Sequence, residues 1–198
     1  MKITTTEGKG GRLNIFADGE FAFSLDAVIW YGCGICDGDD VDEEVLADLK
    51  RESLNRHALS SALNILTRRA HSEKELRFKL KQKFDAEAVD FAIEKAAEMG
   101  FIDDDDFAEM YARELANSKK FAPGRIVSEL VFKGVDKNIA QNVVDDLEID
   151  IFENIEYILD NKYPNFDDDD KKLRRAINGL QRYGYSFYDI KYVINKKM

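Results

Sequence analysis

The chain has 198 residues, 44% apolar and 34% charged, and its 29 Lys/Arg against 39 Asp/Glu give a net charge of −10. This length allows one or two domains with a sizeable core, and the composition excludes a disordered chain and a membrane span, which needs roughly 18 consecutive apolar residues. The bulk charge disfavours a nucleic-acid binder, and Met1–Thr6 lack the basic-then-apolar order of a secretory signal, so a cytoplasmic protein is expected.

Residues 2 to 25 read as strands, Lys2–Glu7, Arg12–Ala17 and Glu20–Leu25, separated by Gly8-Lys9-Gly10-Gly11 and by Asp18-Gly19. Leu13, Ile15 and Ala17 alternate with their neighbours, as do Phe21, Phe23 and Leu25, and Asp-Gly is a strong hairpin turn, so a small antiparallel meander is predicted. A short helix over Asp26–Tyr31 should end at Gly32 or Gly34, before an acidic loop that closes near Asp42. The loop holds the only cysteines, Cys33 and Cys36. A structural zinc site needs four ligands, and neither a second cysteine pair nor a suitably spaced histidine pair exists. A redox dithiol is disfavoured because Asp37, Asp39, Asp40 and Asp42 would raise the thiol pKa and no βαβ pattern surrounds the pair.

From Asp42 the pattern is helical to the C-terminus. Leu59, Ala62, Leu63 and Leu66 form the stripe of a first helix ending near Ala70. Ser72-Glu73-Lys74-Glu75 is a capping box that opens a second helix with Leu76 and Leu80 inward, and Asp85 caps a third, which carries Val89, Ala92, Ile93 and Ala96 and ends at Gly100. The acidic run Asp103–Asp106 then opens a helix with Phe107, Tyr111 and Leu115 inward, and Pro123 takes a favoured first helical position before Ile126 and Leu130. Ile155, Ile158 and Leu159 mark the next helix, stopped by Pro164, and Leu173, Ile177 and Leu180 line the one that follows. The quartets Asp103–Asp106 and Asp167–Asp170 lack the alternating oxygen ligands, central glycine and terminal glutamate of a calcium loop, and they belong instead at helix starts. His57 and His71 are expected at the surface or at caps.

These helices repeat with a period of 50 or 51 residues. Leu80, Leu130 and Leu180 are followed by Phe84, Val135 and Tyr185 and by the cap residues Asp85, Asp136 and Ser186. Gly134 and Gly184 occupy the turn in the second and third copies, whereas the first runs straight from Lys83 to Phe84. Fixed-period self-similarity signals units too small to bury an apolar face alone. The expected fold is mainly α: three tandem three-helix, helix-turn-helix-like repeats in an elongated curved array, preceded by the β-meander. The expected divisions are 1–52 for the meander, short helix and acidic loop, then repeats at 53–102, 103–149 and 150–198.

Charge follows the repeat. Residues 68–83 carry +5, 119–133 carry +3 and 171–182 carry +5, all on or before a second helix, so the remaining chain carries −23. Such polarisation lets local potential rather than net charge decide what docks, although a solvated helix face is the plainer reading. No nucleophile elbow, P-loop or metalloprotease motif occurs, so the chain reads as a binding module without catalytic residues, cofactor or metal.

Three segments are specific enough to compare with a known family: Arg69-Ala70-His71-Ser72-Glu73-Lys74-Glu75-Leu76 with Leu80 and Lys83; Gly100-Phe101-Ile102-Asp103-Asp104 with Phe107-Ala108; and Pro123-Gly124-Arg125-Ile126 with Glu129-Leu130 and Lys133-Gly134-Val135. In order and spacing they resemble the RecX family, regulatory proteins of the RecA recombinase, over about residues 55–197. The hairpin and the segment from Gly38 to Leu46 look like the extension of longer members. The resemblance implies a non-enzymatic protein that lodges in the groove of a RecA filament on single-stranded DNA and inhibits its ATPase, strand exchange and extension. It departs from the pattern in its acidity and in the missing turn glycine of the first repeat. The implied partners are the RecA filament and, through it, single-stranded DNA, with no membrane, and a monomer is expected. Candidate contacts with RecA carboxylates or DNA phosphates are Arg68, Arg69, Arg77, Lys81, Arg125, Lys133, Arg174, Arg175 and Arg182. The rival reading is a free-standing tandem helix-turn-helix DNA binder, which would bind duplex DNA tightly with a steep salt dependence.

Overall fold

The computed structural model describes residues 1–198. Three antiparallel strands, β1 (Ile3–Glu7), β2 (Arg12–Ala17) and β3 (Glu20–Asp26), are followed by ten helices. These are α1 (Ala27–Gly32), α2 (Glu43–Leu66), α3 (Glu73–Leu80), α4 (Ala86–Glu98), α5 (Asp104–Asn117), α6 (Pro123–Lys133), α7 (Lys137–Asp145), α8 (Ile151–Lys162), α9 (Asp170–Arg182) and α10 (Phe187–Lys197). The chain divides into two compact units, residues 1–70 with 76–102, and residues 71–75 with 103–198.

In the first unit the meander buries Ile3, Leu13, Ile15, Phe23 and Leu25 with Trp30 and Val41. The sequence places Phe21 on that same face, yet it is 60% exposed. The physical reason is a bulge: Ile15 pairs with Phe23 and Phe16 with Phe21, so Ala22 is an extra residue that reverses the alternation. Phe21 instead lies edge-on to Phe16. The acidic loop covers the outer edge of β1, where Ile3 N–H donates to the Asp39 carbonyl and Gly38 N–H to the Ile3 carbonyl. An otherwise open strand edge is thereby paired.

Helix α2 runs unbroken for 24 residues, across the division expected between 52 and 53. It packs on α3 and α4 around Ala58, Ala62, Leu76, Leu80, Ala88, Val89, Ala92 and Ile93. Alanines at these contacts let the helix backbones approach closely. Asp85 caps α4 by accepting the Ala88 N–H, as its position predicts.

The second unit holds two similar cores, one from α5, α6 and α7 and one from α8, α9 and α10. Asp136 and Ser186 cap α7 and α10 through their side chains, and Val135 and Tyr185 are buried just before them. Asp103 caps α5 and Asp169 caps α9, which puts the acidic quartets at helix starts. Pro123 stands in the first turn of α6.

Candidate partner-binding surface

Within the second unit, which includes residues 71–75, a joint occurs twice with similar geometry. In its first occurrence residues 71–75 seat on the turn after α6. Ser72 Oγ accepts the Glu75 N–H at 3.2 Å, as a cap should, and donates to the Lys133 carbonyl at 2.6 Å. Lys74 Nζ donates to the Phe132 carbonyl at 2.9 Å, and Asp104 accepts the Glu73 N–H at 2.9 Å. Burial pushes the Asp104 carboxyl above its ordinary pKa, and the Glu73 N–H opposes that shift. Gly134, at φ +107, lies so near Lys74 that a Cβ would come within 2.6 Å of the lysine Cβ. His71, expected at the surface or at a cap, is instead buried here, only 5% exposed, because this lead-in is covered.

In the second occurrence the chain before α6 seats on the turn after α9. Ala122 N–H donates to the Tyr183 carbonyl at 2.9 Å, and Tyr185 Oη donates to the Lys120 carbonyl at 2.7 Å. Burial pushes the Tyr185 phenol well above its usual pKa. Gly184, at φ +94, would place a Cβ 2.7 Å from the Arg125 Cβ. These close approaches explain the turn glycines: position 134 or 184 needs both a left-handed backbone and an absent side chain. The turn from Lys81 to Phe84 has no positive φ, so it needs no glycine.

The joints engage some of the nine candidate cations. Lys133 pairs with Glu75 and lies 5.6 Å from the Tyr111 ring centroid, with the two ion-pair side chains only 22% and 14% exposed. Arg125 meets Glu129 at 3.3 Å and lies 3.9 Å from the centroid of Phe121. In the first unit Arg77 pairs with Asp90, tying α3 to α4, and Arg69 donates to the Ala70 carbonyl. Arg68 and Lys81 are exposed, the former in the turn after α2 and the latter just past α3. Arg174, Arg175 and Arg182 are exposed on α9.

These last three are gathered into one concavity. Lys162, Tyr163, Lys171, Arg174, Arg175, Asn178, Gly179 and Arg182 line an open cleft of about 610 Å³ between the end of α8 and one face of α9. Its walls carry five cations and no carboxylate. Lys162 hydrogen-bonds the Tyr183 hydroxyl, which raises its pKa, and lies 4.9 Å from that ring's centroid. Lys172 points its charge elsewhere, to Asp168. Sequence reasoning includes Lys171 in the basic run but misses Lys162 and Tyr163, which join the cleft only through the packing of α8 on α9. The one local signal is Gly179 inside a helix, where a Cβ would lie 1.9 Å from the Tyr163 hydroxyl oxygen. A helical glycine marks such a close approach.

Three family models match the chain: the regulatory protein RecX N-terminal domain over residues 1–42, the RecX first three-helix domain over 58–95 and the RecX second three-helix domain over 103–144. Together they cover more than half of it. Among curated relatives, the regulatory protein RecX of Listeria innocua serovar 6a is 34% identical over 155 residues, 76% of this chain and 58% of the relative. That of Clostridioides difficile strain 630 is 27% identical over 198 residues, 98% of this chain and 93% of the relative. The match thus spans little more than half the length of the Listeria protein. In fold, a crystal structure of regulatory protein RecX superposes with a TM-score of 0.67 at 23% identity, covering 98% of this chain and 97% of the other. RecX from Lactobacillus salivarius gives 0.57 at 24% identity, covering 72% of this chain and 96% of the other.

Proposed function

Because the chain belongs to the RecX family, we propose that it is a non-enzymatic regulator that binds in the groove of a RecA filament on single-stranded DNA. There it inhibits RecA's ATPase, strand exchange and filament extension, acting in the cytoplasm as a monomer within recombinational DNA repair and the SOS response. The observation that carries this reading is the split among the basic residues. A regulator of a negatively charged assembly needs cations that its own fold does not consume, and Arg68, Lys81, Arg174, Arg175 and Arg182 are exposed without an ion pair. Arg77, Arg125 and Lys133 have work inside the fold, and their contact with a partner is secondary. The acidic remainder limits indiscriminate DNA binding. No helix is long and apolar enough to cross a membrane.

The test is RecA's DNA-dependent ATPase measured with and without this protein at two salt concentrations. The unmodified chain should inhibit, and more strongly at the lower salt. A folded Arg68→Glu/Lys81→Glu/Arg174→Glu variant should lose most of that inhibition. Full inhibition by this variant would sink the assignment of these residues, and no inhibition by the unmodified chain would sink the function itself.

A further inference from the structure

We propose that the α8–α9 cleft is a binding site for the phosphodiester backbone of a single nucleic-acid strand, held directly and without sequence preference. This deepens the reading above by naming which part of the surface meets DNA, and it rests on that reading only for the strand's place in a filament.

The polar lining residues of α9 are Lys171, Arg174, Arg175, Asn178 and Arg182. Spacings of three, one, three and four residues put all five on one face of a 3.6-residue helix, opposite the buried Ala176 and Leu180. From 171 to 182 the stripe runs about 16 Å along the axis, at 1.5 Å per residue. A single phosphate or carboxylate needs donors that converge on a point. A row spread over three turns fits an anion that is itself a row, and a chain of phosphates is such an anion.

The row also lacks an internal explanation. Like charges three or four residues apart each destabilise a helix by roughly 0.2–0.5 kcal/mol, and here no carboxylate in the cleft compensates. In α6 the corresponding arginine has Glu129 one turn on. In α9 the residue four after Arg175 is Gly179, which supplies no charge and admits Tyr163. Guanidinium groups bind phosphate oxygens in pairs, and an aromatic ring beside them accepts any base. A row of cations meets the charge that every nucleotide carries, so the expected binding is independent of sequence.

The experiment measures fluorescence anisotropy of labelled oligo(dT) of 20 nucleotides against the full chain over 25 to 200 mM salt, with no RecA present. Arg174→Glu/Arg175→Glu/Arg182→Glu should weaken binding at least tenfold at the lowest salt. It should also flatten the logarithmic salt dependence by about 2, since each neutralised phosphate of a single strand contributes about 0.7. A control of equal net charge, Lys50→Glu/Lys137→Glu/Lys191→Glu, should keep the affinity within about threefold, an expectation from the placement of these exposed lysines outside the cleft. Thermal melts should show both variants folded. The proposal is overturned if the two variants lose affinity equally, if the cleft variant loses none, if oligo(dT) of 4 and 20 nucleotides bind alike, if inorganic pyrophosphate displaces the strand at equal phosphate concentration, or if duplex DNA binds more tightly than oligo(dT). Because RecA is absent, failure to inhibit RecA would sink the regulatory reading and leave this result standing.

Discussion

Helices α6 and α9 occupy the same place in successive repeats, yet their charges have different fates. The 50-residue register sets Arg125 against Arg175 and Glu129 against Gly179. In α6 the Arg125 guanidinium meets Glu129 and lies over the Phe121 ring, while the Arg125 Cβ stands beside Gly184, so its charge and its stem are both used. In α9 glycine replaces the acid, which leaves Arg175 unpaired and lets the Tyr163 hydroxyl lie against the helix. One difference in sequence therefore frees a cation and shapes the cleft around it. A positive residue at a repeat position has no fixed role, and the partner offered by its neighbourhood decides whether it holds the fold or faces outward.

The strongest way to break this comparison is to attack the joint that uses up the cations. Gly134→Ala must hold φ near +107 and force a Cβ to within 2.6 Å of Lys74 Cβ. The backbone alone costs about 1–2 kcal/mol, and the overlap adds about 1–3 kcal/mol. Gly100→Ala is the control, since Gly100 also has a positive φ, +73, but nothing within 4 Å of a built Cβ. In chemical denaturation Gly134→Ala should be the more destabilising of the two. Equal effects would mean that the close approach at the joint carries no energy.

A smaller effect separates the paired cation from the unpaired one. Lys133→Ala leaves the Glu75 carboxylate, only 14% exposed, without that partner. The expected loss is about 1–2 kcal/mol, between the values for surface and fully buried pairs. Arg175→Ala removes no ion pair and relieves like-charge contact along α9, so stability should stay within about 0.5 kcal/mol or rise. Denaturation midpoints of the two variants decide it. A loss at Arg175 as large as that at Lys133 would show that its exposed side chain supports the fold after all.

These contrasts mark what the sequence can carry. The caps at Asp85, Asp136 and Ser186 are legible because the capping oxygen and the N–H groups it serves lie within three residues. The cation stripe on α9 is legible for the same reason, helical spacing being local. Lys133 reads as available because its carboxylate is 58 residues away, and no periodicity announces that pairing. Glu129, four residues from Arg125, is a signal that local reasoning could have used. The turn glycines stand out in the sequence, but the lysine and arginine pressed against them are supplied by distant chain. Phe21 is misplaced because one extra strand residue, invisible to alternation, reverses everything beyond it.

The smallest effect asks whether unpaired cations are felt through space in the first unit, as the comparison requires. His57 lies edge-on to Phe84, with ring centroids 5.1 Å apart. Partial burial, then the positive charges of Arg12 and Lys83, push its pKa below the ordinary value of 6.5. A depressed pKa means that the folded chain holds this proton less tightly than the unfolded chain. The unfolded state therefore binds more protons in the window below 6.5. His57 should contribute stability above that value and lose it as pH falls through the lower folded pKa. NMR titration should place His57 below 6.5, and Lys83→Gln should raise it slightly without abolishing the shift, because burial is the larger cause. A His57 that titrates at the same value in both proteins would mean that water screens the Lys83 charge completely, and reach through space could then no longer be credited to the exposed cations of α9.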